Sequence, residues 1–285
     1  MGYCLFNKFR GAWLGSLMGQ KLANYHQPLF LPGSNQSKIS FEQEKDNLLD
    51  IVSENTAQIT LDKLILSLLP AILYYHDDWF TLSAFLTQKI KQLSQSRTEI
   101  DNILIWCYVV RLALRGEIVS HGLTEKVVIG TELKQTPAIK WLKQVELSNV
   151  KGFSSIHLIE NLSFMDRWEI PLSLFCFLNN LTDFSLTIQQ SLSIEKILKQ
   201  KTNLTALTGV LSGAYNGWSG ISIKWRIWLQ NQDFYPQINF QIENLIKEWV
   251  GGESLSNIQI LSSVISSPKI LQLRPDLKII SQQEY

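Results

Sequence analysis

Apolar residues recur at three- and four-residue intervals over Phe9 to Leu22, Leu61 to Tyr75, Ile100 to Leu114, Ile170 to Leu178, Leu186 to Leu198 and Leu204 to Tyr215. That spacing matches the turn of an α-helix and predicts helices with one apolar face, or helices buried on all sides. Convincing strand alternation is scarce, so the expected class is all-α, a single compact multi-helix body. Segments with loop chemistry separate the helices: Gln27 to Asp46, the turn Ser94 to Arg97, and Ser148 to Asn161 around Gly152. None is long or biased enough for a disordered linker, so residues 1–250 are expected to form one domain. Phe240 to Val250 reads as a further helix, and 251–285 as an irregular tail packed on the same domain.

Helix starts are marked by Asp77-Asp78 before Trp79 and by Thr182-Asp183 before Phe184, where a side-chain oxygen can accept from the free amides of a first turn. The most apolar stretch, Leu64 to Tyr75, contains Pro70 and spans about twelve residues where a membrane-crossing helix needs about twenty. It is expected to be a buried, kinked helix.

Two segments carry glycines at four-residue spacing: Gly11, Gly15 and Gly19 in RGAWLGSLMGQKLA, and Gly209, Gly213 and Gly217 in TGVLSGAYNG. A glycine inside a helix costs about 0.8–1 kcal/mol relative to alanine, so two such ridges need a compensating reason. Close approach of the two backbones supplies one, which places the first helix and a late helix side by side at the centre of the bundle.

Composition narrows the partners. The net charge of +1 is nearly balanced, whereas nucleic acid and anionic membranes demand clustered Lys and Arg. No nucleic-acid or membrane partner is expected. The start MGYCLFNKF lacks export and myristoylation signals, and a cytoplasmic location is expected. Cys4, Cys107 and Cys176 are far apart among apolar neighbours, as buried reduced thiols would be. His26, His76, His121 and His157 have no paired ligand spacing and are expected in loops or half-buried places. No nucleophile elbow, P-loop or dinucleotide turn occurs.

The opening FRGAWLGSLMGQKLA resembles the start of ADP-ribosylglycohydrolases, of the form RFRGALLGLAVGDALG. DFSLTIQQSLSIEKILKQKTNLTALTGVLSGAYNGW is similar to that family's late segment, with the glycines in register. VSENTAQITLDKLILSLL falls where the family has its TDDTAMALAL helix start, and EIPLSLFCFLNNLTDF resembles its VPAALYAFLR segment. The likeness spans residues 9–225. It implies a mostly helical domain that in active members holds two magnesium or manganese ions and cleaves the glycosidic bond of ADP-ribosylated substrates.

The family's ligand positions are altered here. Ser53, Glu54, Asn55 and Thr56 stand at its Thr-Asp-Asp-Thr, and Gln200, Lys201, Thr202 and Asn203 at its late Asp-Thr-Asp-Thr. Its Gly-Asp near the opening helix is Gly19-Gln20, followed by Lys21. A two-metal site concentrates carboxylates because stacked negative charge offsets the repulsion of two dications, and one displaced carboxylate remains. The resemblance therefore implies a catalytically inactive relative acting as a binding or regulatory platform, with no cofactor. Lys21 and Lys201 are its candidate holders of an anion such as the pyrophosphate of an ADP-ribose-like ligand.

The alternative is a divergent metal-dependent hydrolase removing ADP-ribose, in which Glu54, Asn55 and Thr202 hold one magnesium or manganese ion. An acid converging on Thr202, whether Glu54, Asp77 or another, favours that alternative; Lys201 in the same space opposes it. Glu42, Glu44, Asp46 and Asp78 are further acids near these segments, with helix capping or solvation as their ordinary roles. Nine tryptophans and eight tyrosines also allow a protein interface. Trp218, Trp225 and Trp228, and Tyr74, Tyr75 and Trp79, are the clusters concerned, with core packing as the commoner role of each.

Overall fold

The computed structural model describes residues 5–25, 61–91, 96–119, 121–151, 168–198 and 202–250. Among them are twelve helices and no strand. In chain order these are α1 (Leu5–Tyr25), α2 (Leu61–Ser67), α3 (Leu69–Tyr74), α4 (Trp79–Lys91), α5 (Arg97–Arg115), α6 (Leu123–Thr131), α7 (Pro137–Lys151), α8 (Glu169–Asn179), α9 (Phe184–Leu198), α10 (Leu204–Gly220), α11 (Ile223–Gln230) and α12 (Tyr235–Val250). The all-α class is thus observed.

The centre is the pair α1 and α10, which make the most extensive helix–helix contact, with α5, α8 and α9 packed around α10. The sequence explains why these elements lie inside. Ile170 to Leu178 of α8 are all buried, as are fourteen residues of α5, and helices apolar on all sides have no face to give to water. Asn102, buried within α5, finds a partner in α7: Trp141 Nε1 donates to its Oδ1 at 2.7 Å.

The two glycine ridges meet face to face, as their spacing predicts. A Cβ at Gly11 would fall inside 3.0 Å of backbone atoms of Gly213 and Gly217, one at Gly15 of Gly209, and one at Gly19 of Thr205 and Ala206. At Gly217, φ is +71°, a conformation that breaks the helical run within α10 and that glycine adopts without a steric penalty.

The expected kink falls at Leu68, between α2 and α3, with Pro70 in the first turn of α3, where its missing N–H is harmless. Asp78 caps α4 through the Thr81 amide (3.1 Å) and hydroxyl (2.6 Å), and Asp183 caps α9 through the Leu186 amide (2.9 Å).

Three expectations are corrected. Arg97 opens α5 rather than closing a turn, with Ser96 accepting from the Glu99 amide at 3.5 Å. Residues 148–151 continue α7 instead of starting a loop, because Ala138, Ile139, Trp141, Leu142 and Val145 bury one face and Ser148 joins them. The last helix begins at Tyr235, five residues before Phe240, with Pro236 tolerated in its first turn. The tail 251–285 and the segment 27–46 lie outside the described residues.

Candidate functional site

The end of the α1/α10 ridge at Gly19 is where the resemblance sets its ligand positions. Gly19 lies against the backbone of Thr205 in the first turn of α10, so Gln20 and Lys21 follow directly from the contact and Thr202 and Asn203 directly precede it. Gln20 is half-buried. Lys21 extends toward Phe234, its Nζ 5.8 Å from the ring centroid. Ser53, Glu54, Asn55, Gln200 and Lys201 lie outside the described residues, as do Glu42, Glu44 and Asp46.

The residue that organises this end is one the motifs did not single out. Glu195 of α9 is buried, and its Oε1 accepts from Thr202 Oγ1 at 3.0 Å and from the Thr205 amide at 3.1 Å. Thr202 Oγ1 is in turn the acceptor for the Leu204 amide, at 3.4 Å. Asn203, at the cap position, makes no side-chain cap bond, so a carboxylate from the preceding helix satisfies the start of α10. Burial pushes the Glu195 carboxyl above its ordinary range, and the hydrogen bonds from Thr205 and Thr202 offset this only in part. The Thr205 hydroxyl is itself buried without an aligned partner.

A signal for Glu195 was present in the chain. Phe184, Ile188 and Ser191 are the buried face of α9, and Glu195 continues that stripe by four residues. A carboxylate in register with an apolar stripe has to find internal donors.

Glu146 of α7 performs a similar task for α6, with the opposite electrostatic result. It accepts from the amides of Gly122, Leu123 (3.1 Å) and Thr124 (3.1 Å) and from the Thr124 hydroxyl. Partial burial pushes its carboxyl up, but these donors outweigh burial and hold it below the usual range.

His76 lies in the turn between α3 and α4, a loop position as expected, and is buried there. Its ring lies edge-on to Phe9 and tilted to Trp249, each 5.3 Å between centroids, with Nδ1 2.8 Å from Leu73 O. Burial lowers its pKa, the Asp77 charge and the Leu73 bond raise it, and Arg115 and Arg111 lower it further, for a net lowering. Cys107 and Cys176 are buried free thiols whose pKa values burial drives upward. Cys4 lies outside the described residues.

The aromatic clusters serve mainly as packing. Tyr74 meets Tyr75 edge-on, Trp79 meets Tyr108, and Trp225 meets Phe184. Trp218 is buried beneath Arg10.

The described donors do not suit a two-metal centre. Thr202 offers a hydroxyl that donates to Glu195, Gln20 offers an amide, and the one carboxylate gathered there is bound to a helix amide. Among the described residues no three His, Cys, Asp or Glu side chains cluster as a metal site would require. Also among them, no helix is long and apolar enough to cross a membrane. Compared with known families, curated proteins and solved structures, the chain finds no match. The likeness to ADP-ribosylglycohydrolases therefore rests on the sequence motifs alone.

Proposed function

We propose that this chain is a non-catalytic protein on an ADP-ribosylglycohydrolase-like helical scaffold, acting as a binding or regulatory platform for an ADP-ribose-like ligand or a protein partner. The observation that carries this reading is the bonding of Glu195. At position 202, where the resembled family has an acid, a hydroxyl points its proton at a neighbouring carboxylate, and that carboxylate also holds the Thr205 amide. A hard dication needs several oxygens free to coordinate, whereas Glu195 Oε1 and Thr202 Oγ1 are engaged in holding the start of α10. The paired ridges support the scaffold half of the reading, since the glycines that the motifs have in register pack face to face in this chain, while the residues at the ligand positions differ.

A second reading is kept because an acid does converge on Thr202. Glu195 could supply one ligand, with Glu54 and Asn55, to a divergent magnesium- or manganese-dependent hydrolase acting on ADP-ribosylated substrates. Calorimetric titration of ADP-ribose with magnesium, with manganese and with chelator separates the two. Binding that persists in chelator supports the platform. Binding that requires metal favours the hydrolase, and no binding in any condition removes ADP-ribose and leaves a protein partner as the ligand to seek.

A further inference from the structure

At the opposite end of the ridge, two arginines gather around one tryptophan. Arg10 of α1 lies over the Trp218 ring, with its guanidinium carbon 5.0 Å from the centroid. Arg226 of α11 lies 6.0 Å from the centroid of the same ring. Arg10 also covers the Tyr235 ring at 5.8 Å, and its Nη2 donates to the Tyr235 hydroxyl.

Both arginines are half-buried, and the Nε of each is buried without a hydrogen-bond partner. Among the described residues, ion pairs join Arg97 to Asp101 and Arg115 to Glu117; neither Arg10 nor Arg226 pairs with a carboxylate. Two like charges are thus held beside one ring, partly removed from water and with no carboxylate paired to either among the described residues. Stacking on an indole face offsets some of that cost but does not neutralise it.

The local backbone fixes the arrangement. Gly217, with φ +71°, interrupts α10 just before Trp218. Asn7 of α1 then grips the turn that follows, its Oδ1 accepting from the Ser219 amide at 3.1 Å and its Nδ2 donating to Ser219 Oγ at 2.9 Å. The tryptophan and Arg10 are therefore set before any ligand arrives, which lowers the ordering cost of binding.

We propose that Arg10 and Arg226, arranged around Trp218, form a binding site for a phosphate-type oxyanion. Each guanidinium presents five N–H donors in a planar fork. Two forks offer more donors than the two oxygens of a single carboxylate accept in good geometry, whereas a phosphate presents three or four oxygens to both. The site is independent of the metal question, because Gly11 and Gly19 stand about 12 Å apart along α1 at 1.5 Å per residue.

The test is calorimetry on the full chain with inorganic phosphate and with pyrophosphate at constant ionic strength. Saturable binding is expected, weakened about tenfold or more by Arg226→Gln and by Arg10→Lys, and unchanged by Lys91→Gln on the exposed face of α4. Arg226→Lys, which keeps the charge and loses the fork, is expected to fall between. Absence of saturable binding to the native chain, or equal affinity in Arg226→Gln, overturns the proposal. Should Arg10→Lys fail to fold, the thermal shift decides: phosphate raises the melting temperature of the native chain and not of Arg226→Gln. The platform reading can fail, with no ADP-ribose bound, while phosphate binding at the arginine pair stands.

Discussion

Gly15 and Gly209 exclude each other's side chains: a Cβ on either would fall inside 3.0 Å of the other's carbonyl oxygen. The α1/α10 contact is therefore backbone against backbone, and the atoms that an added Cβ meets first are backbone, which cannot swing aside as a side chain can. Gly209→Ala gains roughly 1 kcal/mol of helix propensity but forces the helices apart. Overpacking of this kind costs typically 1–3 kcal/mol and occasionally more. A net loss is expected in denaturant unfolding, with Gly15→Ala and the double variant costing less together than the sum of the singles, because parting the helices once accommodates both methyl groups. Additive losses would show that the two positions are not in one contact.

The ridges were legible in the chain because six glycines, each unfavourable within a helix, fall in two matching patterns, and close backbone packing is the physical gain that offsets them. The central helices were legible for a related reason, since α8 and most of α5 are apolar on every face. By contrast, α6, α7 and α11 show no comparably continuous apolar pattern. Exposed Lys140, Lys143 and Gln144 interrupt the apolar run of α7, so its stripe is visible only once Trp141 and Val145 are seen to share a face. The polar residues that organise the interior were harder still. Lys8 and His76 resemble ordinary surface residues in sequence, and what distinguishes them is a partner more than one hundred residues away or a pair of aromatic rings, while Glu195 is marked only by its register with the buried stripe of α9. The motifs mark positions 200–203, whereas the carboxylate that reaches the start of α10 stands at position 195 in the preceding helix.

Lys8 shows the long-range case. Its ammonium is buried and donates to Ala113 O at 3.0 Å and Leu114 O at 2.9 Å, covering the last carbonyls of α5. Gly116 completes the same terminus with a left-handed conformation, φ +71°. Lys8→Met keeps the stem and removes both charged bonds, which are worth about 1.5–3 kcal/mol each when they involve an ion. A loss of roughly 2 kcal/mol or more in unfolding free energy is expected. Hydrogen exchange should also quicken for amides in the last turn of α5 before those of α8, and uniform exchange would argue against a local cap.

His76 makes stability depend on acid. Its folded pKa is lowered from 6.5, chiefly by burial, so below 6.5 the unfolded chain binds more protons than the folded one. Stability is complete above that value and falls as pH decreases toward the folded pKa. His76→Phe preserves the ring between Phe9 and Trp249 and removes the titration. Between pH 7 and pH 5 the native chain should lose more stability than the variant in parallel urea titrations, and parallel curves would place the acid sensitivity elsewhere.

Glu195 runs in the other direction and bears on function. Its folded pKa is raised from 4.5 by burial, so the folded chain holds the proton more tightly. The stabilisation is present below 4.5 and is lost as pH rises through the folded pKa. Glu195→Gln retains an acceptor for Thr202 and the Thr205 amide without the buried charge. It should match or exceed the native chain in stability at pH 8, with the advantage shrinking toward pH 4, while Glu195→Leu strands the amide and costs about 1–3 kcal/mol throughout. The same variants separate the two functional readings. A carboxylate that only caps α10 tolerates the amide, and ADP-ribose binding in chelator persists in Glu195→Gln. A carboxylate that ligates magnesium or manganese does not tolerate it, and metal-dependent binding would disappear while the fold becomes no less stable.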